Sequence, residues 1–266
     1  MHPAEIRLET WSFAPPARTR RPPLLFVHGG YADGWCWTPY FLPWFARAGW
    51  PAHALSLRGH GGSGGGATLF AHGLDDYAAD VERVAGSLPE PPILIGHSMG
   101  AAIVERLLAT RPLRAGVLIA PVPPTGLVPV AARLAVERPD YLLQMSRLDP
   151  TRLTADVLEA LRPFYFSDDV DPSILAEAVR HLSAESPRAI LDLSLRLHWL
   201  RPERNGAHLM VLGARGDRIC TPSDLEATAR HHGVESTLLP DLAHMLMLER
   251  GWETAARAIA DWLVGT

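Results

Sequence analysis

Apolar positions along this chain follow two patterns that take turns. Short, continuous apolar runs stand at residues 24–27 (Leu-Leu-Phe-Val), 93–95 and 115–120, several of them bounded by Pro or Gly, and a further strand is read at 52–57. Runs this short, without polar alternation, are expected of strands buried on both faces of a parallel sheet. Between them the apolar residues recur at helical spacing. Residues 38–48 predict an aromatic-rich helix entered through Pro39. Residues 74–88 put Leu74, Tyr77, Val81 and Val84 on one side, with Asp75, Asp76, Asp80 and Glu82 largely elsewhere. Residues 99–110 predict another helix. Strands and helices joined by short loops imply an α/β architecture with a mostly parallel, doubly wound sheet.

The alternation stops at Pro121. From Val122 to about Trp199 no buried strand is evident, and helical patches at 129–136, 156–162, 174–182 and 188–200 are separated by Pro and Asp. It then resumes with a strand at 209–212, a helix at 222–231, a strand at 234–239 and a last helix at 252–264. The organisation read from this is a core of residues 1–121 and 200–266, interrupted by a helical cap, or lid, at 122–199.

Composition narrows the function classes. The chain has 266 residues, of which 47% are hydrophobic and 20% charged, the profile of a globular protein. A net charge of −4 gives no footprint for nucleic acid or an acidic membrane surface. All 25 cationic residues are Arg, which removes lysine Schiff-base chemistry and a P-loop lysine from consideration. Cys36 and Cys220 lack any metal-ligand spacing and read as free thiols. The first eleven residues carry Glu5, Arg7 and Glu9 and no apolar h-region, so a cytoplasmic location is expected. No apolar run reaches the ~20 residues that span a bilayer, so no stable membrane insertion is expected.

Chemistry concentrates around Gly96-His97-Ser98-Met99-Gly100, a G-x-S-x-G motif between the strand at 93–95 and the helix at 99–110. A sharp strand-to-helix turn lifts the central hydroxyl above the sheet edge, and side chains at Gly96 or Gly100 would collide with backbone. The helix start beyond it adds partial positive charge where an oxyanion would develop. From His28-Gly29-Gly30 to His244 the sequence resembles the α/β-hydrolase superfamily, in particular its esterase and lysophospholipase-like members. The resemblance implies the α/β-hydrolase fold and a triad in the order nucleophile, acid, base. It assigns Ser98 as nucleophile and Asp217, in Gly213-Ala214-Arg215-Gly216-Asp217-Arg218, as acid, with Asp224 and Asp241 as rivals. It assigns His244, in Leu242-Ala243-His244-Met245-Leu246, as base. His231 and His232 read as helix caps, His97 as pointing away from the nucleophile, and His53, His181, His198 and His208 as lacking catalytic context. The oxyanion hole is expected from the backbone N–H of Met99 and a second N–H in the loop after the first buried strand, Gly30 first and Tyr31 second.

Arg58-Gly59-His60-Gly61-Gly62-Ser63-Gly64 contains a formal dinucleotide-type glycine pattern, but about ten loop-like residues precede the next helix, so it reads as a structural loop. No cofactor and no metal are expected. The implied reaction is two-step acyl transfer through an acyl-enzyme. Trp35 and Trp37 beside the oxyanion loop, with Leu127, Leu142, Met145 and Phe164 of the insertion, are the candidate substrate contacts and suggest a small or medium apolar ester as the small-molecule partner. C–C bond hydrolysis, lactone or thioester hydrolysis and perhydrolysis fit the same triad, and the fold also serves as a receptor. The oligomeric state is not legible.

Overall fold

A computed structural model describes residues 6–146, 155–195 and 206–265. Its centre is a seven-stranded sheet in the order β1-β3-β2-β4-β5-β6-β7. The strands are β1 (Thr10–Phe13), β2 (Leu24–Val27), β3 (Ala52–Leu55), β4 (Ile93–His97), β5 (Ala115–Ile119), β6 (His208–Ala214) and β7 (Ser236–Leu239). β1 pairs antiparallel with β3, and every other pairing is parallel. This is the mostly parallel, doubly wound arrangement that the alternating pattern implies.

The apolar runs are continuous because both faces of the sheet are covered. In β2, Leu24 and Phe26 enter one core cluster, with Trp37, Phe41 and Phe45, while Leu25 and Val27 enter another, with Tyr77, Val81 and Val104. The first face is covered by α1 (Phe41–Arg47) and α10 (Trp252–Val264), the second by α2 (Leu74–Ser87), α3 (Met99–Thr110) and α9 (Pro222–His232). β1 is absent from the sequence expectations. It is an edge strand of four residues whose side chains alternate between exposed and half-buried, too short and too polar to register as a buried run.

Between β5 and β6 the described residues form α4 (Leu127–Glu137), α5 (Pro139–Ser146), α6 (Ala155–Tyr165), α7 (Pro172–Arg180) and α8 (Pro187–Leu195). α5 was not expected: Pro139 and Asp140 look like a break, yet both suit a helix's first turn. α6 runs past Arg162 and carries Pro163 in its last turn. The end of the helical patch read at 188–200 lies outside the described residues. A third apolar cluster joins Val130, Leu134, Tyr141, Leu161 and Phe164 of these helices to Ile219 and Cys220, just beyond β6. These helices therefore pack directly on the loop that carries Asp217. No described helix is long and apolar enough to cross a membrane.

Candidate active site

Loops leaving the C-terminal ends of β2, β4, β6 and β7 meet at one edge of the sheet, where parallel α/β folds place their ligand sites. Ser98 sits between β4 and α3 with φ 52° and ψ −114°, a left-handed conformation that a non-glycine residue adopts only under constraint. Its N–H donates to the Ile119 carbonyl at 2.9 Å. A Cβ at Gly96 would lie 2.3 Å from the Gly100 oxygen, and one at Gly100 would lie 2.4 Å from the Val27 oxygen. Both glycines are thus required by close backbone approach. Met99 is the first residue of α3, so its N–H has no carbonyl one turn back to reach.

Asp217 and His244 are buried together. His244 Nδ1–H donates to Asp217 Oδ2 at 2.8 Å, while Asp217 Oδ1 accepts the backbone N–H groups of Ile219 (2.8 Å) and Cys220 (2.9 Å). The carboxylate is oriented by three donors, and the histidine is held with Nδ1 protonated, leaving Nε2 as an acceptor. Of the rivals, Asp224 accepts from Thr221 at the start of α9, as a helix cap. Asp241 lies in the turn before His244 with φ 54°.

His97, read from the sequence as pointing away from the nucleophile, packs beside His244. Its ring lies 4.7 Å from that of His244, and its Nε2–H donates to the His244 backbone carbonyl at 2.9 Å. Burial, with His244 nearby, holds His97 well below the usual histidine range, so it acts as a neutral donor. Nothing in the local sequence shows this contact, because His244 is 147 residues away.

The glycine loop after β2 treats its two candidate N–H donors differently. His28 Nε2 accepts the Leu57 N–H at 3.0 Å, so its Nδ1–H donates to the Gly29 carbonyl at 2.8 Å. Burial lowers His28 to about 3, which keeps it in this neutral form. That bond orients the peptide whose other end is the Gly30 N–H. The Tyr31 N–H is turned onto Glu185 Oε2 at 3.3 Å and is engaged there. Gly30, not Tyr31, keeps its N–H for another acceptor.

Beside this loop is a cavity of about 110 Å³. Gly30, Tyr31, Ala32, Asp33, Trp35 and Cys36 form one wall; Met145, Leu161, Arg162, Tyr165, Phe166, Leu175, Ala178, Val179, His181 and Leu182, from between β5 and β6, form the other. Met245 and Leu248 close it next to His244, and the Tyr165 ring stands 5.7 Å from the His244 ring. The Tyr165 hydroxyl meets that of Tyr141 at 2.8 Å, and burial raises it, keeping it protonated. His181 stacks on Trp35 with centroids 4.4 Å apart and reaches Asp33 at 2.9 Å, so it too lies in the site region.

Of the expected substrate contacts, Trp35 and Met145 line the cavity. Trp37 does not: Asp33 caps a short 3-10 turn that sends Trp37 into the core against Phe26, with centroids 5.0 Å apart. Phe164 is likewise corrected. It is fully buried against Tyr141, under the Arg138 guanidinium, while the following Tyr165 and Phe166 take the cavity side. Leu127 packs against the core cluster on the other face of the sheet. The side chain of Leu142 lies outside the described residues.

The Arg58–Gly64 loop is held by its own protein contacts. Arg58 makes a paired contact with Asp80 at 2.7 and 2.9 Å, and the Gly62 N–H donates to Glu9. One grouping among the described residues has the donor types of a metal site: ligand atoms of Asp217, Cys220 and His244 lie within 4.8 Å of one another. There Asp217 Oδ2 and His244 Nδ1 are committed to each other, and Asp217 Oδ1 to two backbone N–H groups.

The model for the alpha/beta hydrolase family matches residues 24–259. Protein phosphatase methylesterase 1 of Mus musculus is 39% identical over 91 residues, 33% of this chain and 24% of that protein. The human form is 38% identical over 91 residues, 31% of this chain and 22% of its own. The match therefore spans about a quarter of the length of these curated relatives. Among solved structures, an esterase of Thermogutta terrifontis superposes with TM-score 0.74 at 19% identity, covering 100% of this chain and 96% of its own. A monoacylglycerol lipase of Paleococcus ferrophilus gives 0.66 at 23%, covering 97% and 99%. A putative non-heme bromoperoxidase of Mycobacterium tuberculosis gives 0.72 at 22%, covering 100% and 97%. With the family match running over nearly the whole chain and the sheet, elbow and loops arranged as described, this chain belongs to the alpha/beta hydrolase family.

Proposed function

We propose that the chain is a serine hydrolase of carboxylic esters, with Ser98 as nucleophile, His244 as base, Asp217 as the residue that orients it, and the N–H groups of Met99 and Gly30 as the oxyanion hole. The observation that carries this reading is the strained Ser98 elbow at the same sheet edge as the buried His244–Asp217 pair. His244 Nε2 takes the Ser98 proton as Oγ bonds to the ester carbonyl carbon. The oxyanion is held by the two N–H groups, and the C–O bond then breaks as His244 returns the proton to the leaving alcohol. Water repeats the sequence on the acyl-enzyme and frees the acid.

An apolar substrate group is supported by the cavity wall of Trp35, Met145, Leu161, Leu175, Val179 and Met245. Because much of that wall comes from between β5 and β6, residues 122–199 act in this reading as a cap over the core of 1–121 and 200–266. The test is labelling by a fluorophosphonate together with turnover of p-nitrophenyl esters of graded chain length. Labelling lost in Ser98→Ala, and a rate optimum at an intermediate acyl length, are expected. An unlabelled parent protein that turns over none of the esters would sink the proposal.

A further inference from the structure

Glu185 is the residue the proposed reaction leaves unused. It comes from the insertion, just before α8, and its side chain has no solvent exposure. Its carboxylate accepts from the Tyr31 N–H (3.3 Å), His60 Nε2 (3.1 Å), the Tyr77 hydroxyl (2.8 Å) and the Ser186 N–H (2.7 Å). Two residues earlier, the Ser183 N–H donates to the Tyr31 carbonyl at 2.8 Å, so segment 183–185 holds both backbone polar groups of Tyr31. Tyr31 needs holding, since its φ of 61° is a conformation that a bulky residue keeps only when its surroundings over-determine it. A buried carboxylate tolerates its desolvation only when paired and fully hydrogen-bonded, and this one is both. His60 is driven toward its charged form by Glu185 against the burial that opposes it.

We propose that Glu185 is a positioning residue for the oxyanion hole: by fixing the Tyr31 N–H in a loop where His28 fixes the Gly29 carbonyl, it aims the Gly30 N–H at the reacting carbonyl. This rests on the serine-hydrolase reading. It makes the insertion part of the catalytic geometry, with His60 and Tyr77 holding the carboxylate in place. Glutamine at 185 has one acceptor oxygen where glutamate has two, so it cannot accept from Tyr31 and His60 on one side and from Tyr77 and Ser186 on the other, and the carboxylate's fixed position is lost.

Glu185→Gln and the milder Tyr77→Phe would be compared with the parent protein and with Glu105→Gln. The last removes the carboxylate charge from the buried His232–Glu105 pair elsewhere in the fold, and so controls for lost stability alone. Steady-state kinetics on a p-nitrophenyl ester, the rate of fluorophosphonate inactivation and thermal melts are the readouts. Losing an oxyanion donor outright costs about 10²–10³ in kcat, so displacing one in Glu185→Gln should cost about 10- to 100-fold, with KM changed less than about threefold. Inactivation should slow in parallel. Tyr77→Phe should lose about 3- to 10-fold in kcat, and Glu105→Gln should melt earlier with kcat retained. A parent protein that is labelled and active, with kcat in Glu185→Gln and Tyr77→Phe within twofold of it or falling no further than in Glu105→Gln, overturns the positioning role. A parent protein that is neither labelled nor active overturns the serine-hydrolase reading itself.

Discussion

Replacing Asp217 by Asn separates the role of its charge from its role in folding. Asp217 Oδ1 already accepts two backbone N–H groups, from Ile219 and Cys220. The carboxamide oxygen can keep both, which turns its NH₂ group toward His244 Nδ1. That nitrogen must then accept, so the proton moves to Nε2 and the face that should take the Ser98 proton becomes a donor. The same exchange in a serine-protease triad costs about 10⁴ in kcat. At 1.36 kcal/mol per decade that is about 5.5 kcal/mol of barrier. Asp217→Ala differs in kind, because it orphans the two N–H groups and the histidine N–H inside the fold, at about 1–3 kcal/mol for each. The assay is ester hydrolysis beside a thermal melt for both variants. Asn should abolish most turnover with little change in melting, and Ala should lose both. An Asn variant with intact melting and kcat within tenfold of the parent protein would refute the assignment of Asp217.

Other outcomes follow from the same geometry. Trp35→Ala should raise KM for an apolar ester with little loss of stability, whereas Trp37→Ala should cost about 3–5 kcal/mol in denaturant unfolding, because its ring is in the core; equal KM effects from the two would contradict their placement. Gly100→Ala should yield inactive and strongly destabilised protein, since its Cβ would lie 2.4 Å from a backbone oxygen; normal expression and activity would refute the close approach. His28 and His97 are both depressed by burial, His28 from 6.5 to about 3. On acidification below 6.5 the unfolded chain takes up protons that the fold refuses, so their stability contribution is present above that value and is lost as pH falls, by about 1.4 kcal/mol per pH unit for His28, with His97 acting in the same direction. Denaturant titrations at pH 7 and pH 5 of the parent protein and of His28→Gln measure this, and an equal pH dependence in the two proteins would contradict neutral burial of His28.

The parts of the fold legible in the sequence are those whose signal is local. The strand at 24–27 shows as four apolar residues in a row because both of its faces are covered. The elbow shows because Gly96 and Gly100 are both needed within five residues. β1 stayed hidden because its pairing with β3, not its own composition, makes it a strand. The aromatic residues were the least readable. Trp35 and Trp37 are chemically alike, and only the capped turn decides that one meets the cavity and the other the core. Glu185 carried no signal at all, since its partners Tyr31, His60 and Tyr77 are more than a hundred residues away and each looks ordinary alone.

Among the described residues, two backbone bonds tie the segment between β5 and β6 to loops outside it: Met245 N–H to the Tyr165 carbonyl, and Ser183 N–H to the Tyr31 carbonyl. Each stitches the helices between β5 and β6 to a loop next to a catalytic candidate, one beside His244 and the other beside Gly30. Glu249 adds a side-chain stitch through the Ser167 N–H at 2.8 Å. Those helices are consequently no interchangeable module. A chimera that imports them from a relative inherits foreign anchor points, and a recombination cut at residues 122 and 199 severs side-chain partnerships on the far side of the cut. Segments 28–33, 58–63 and 165–186, together with 243–249, would have to travel as one inherited block.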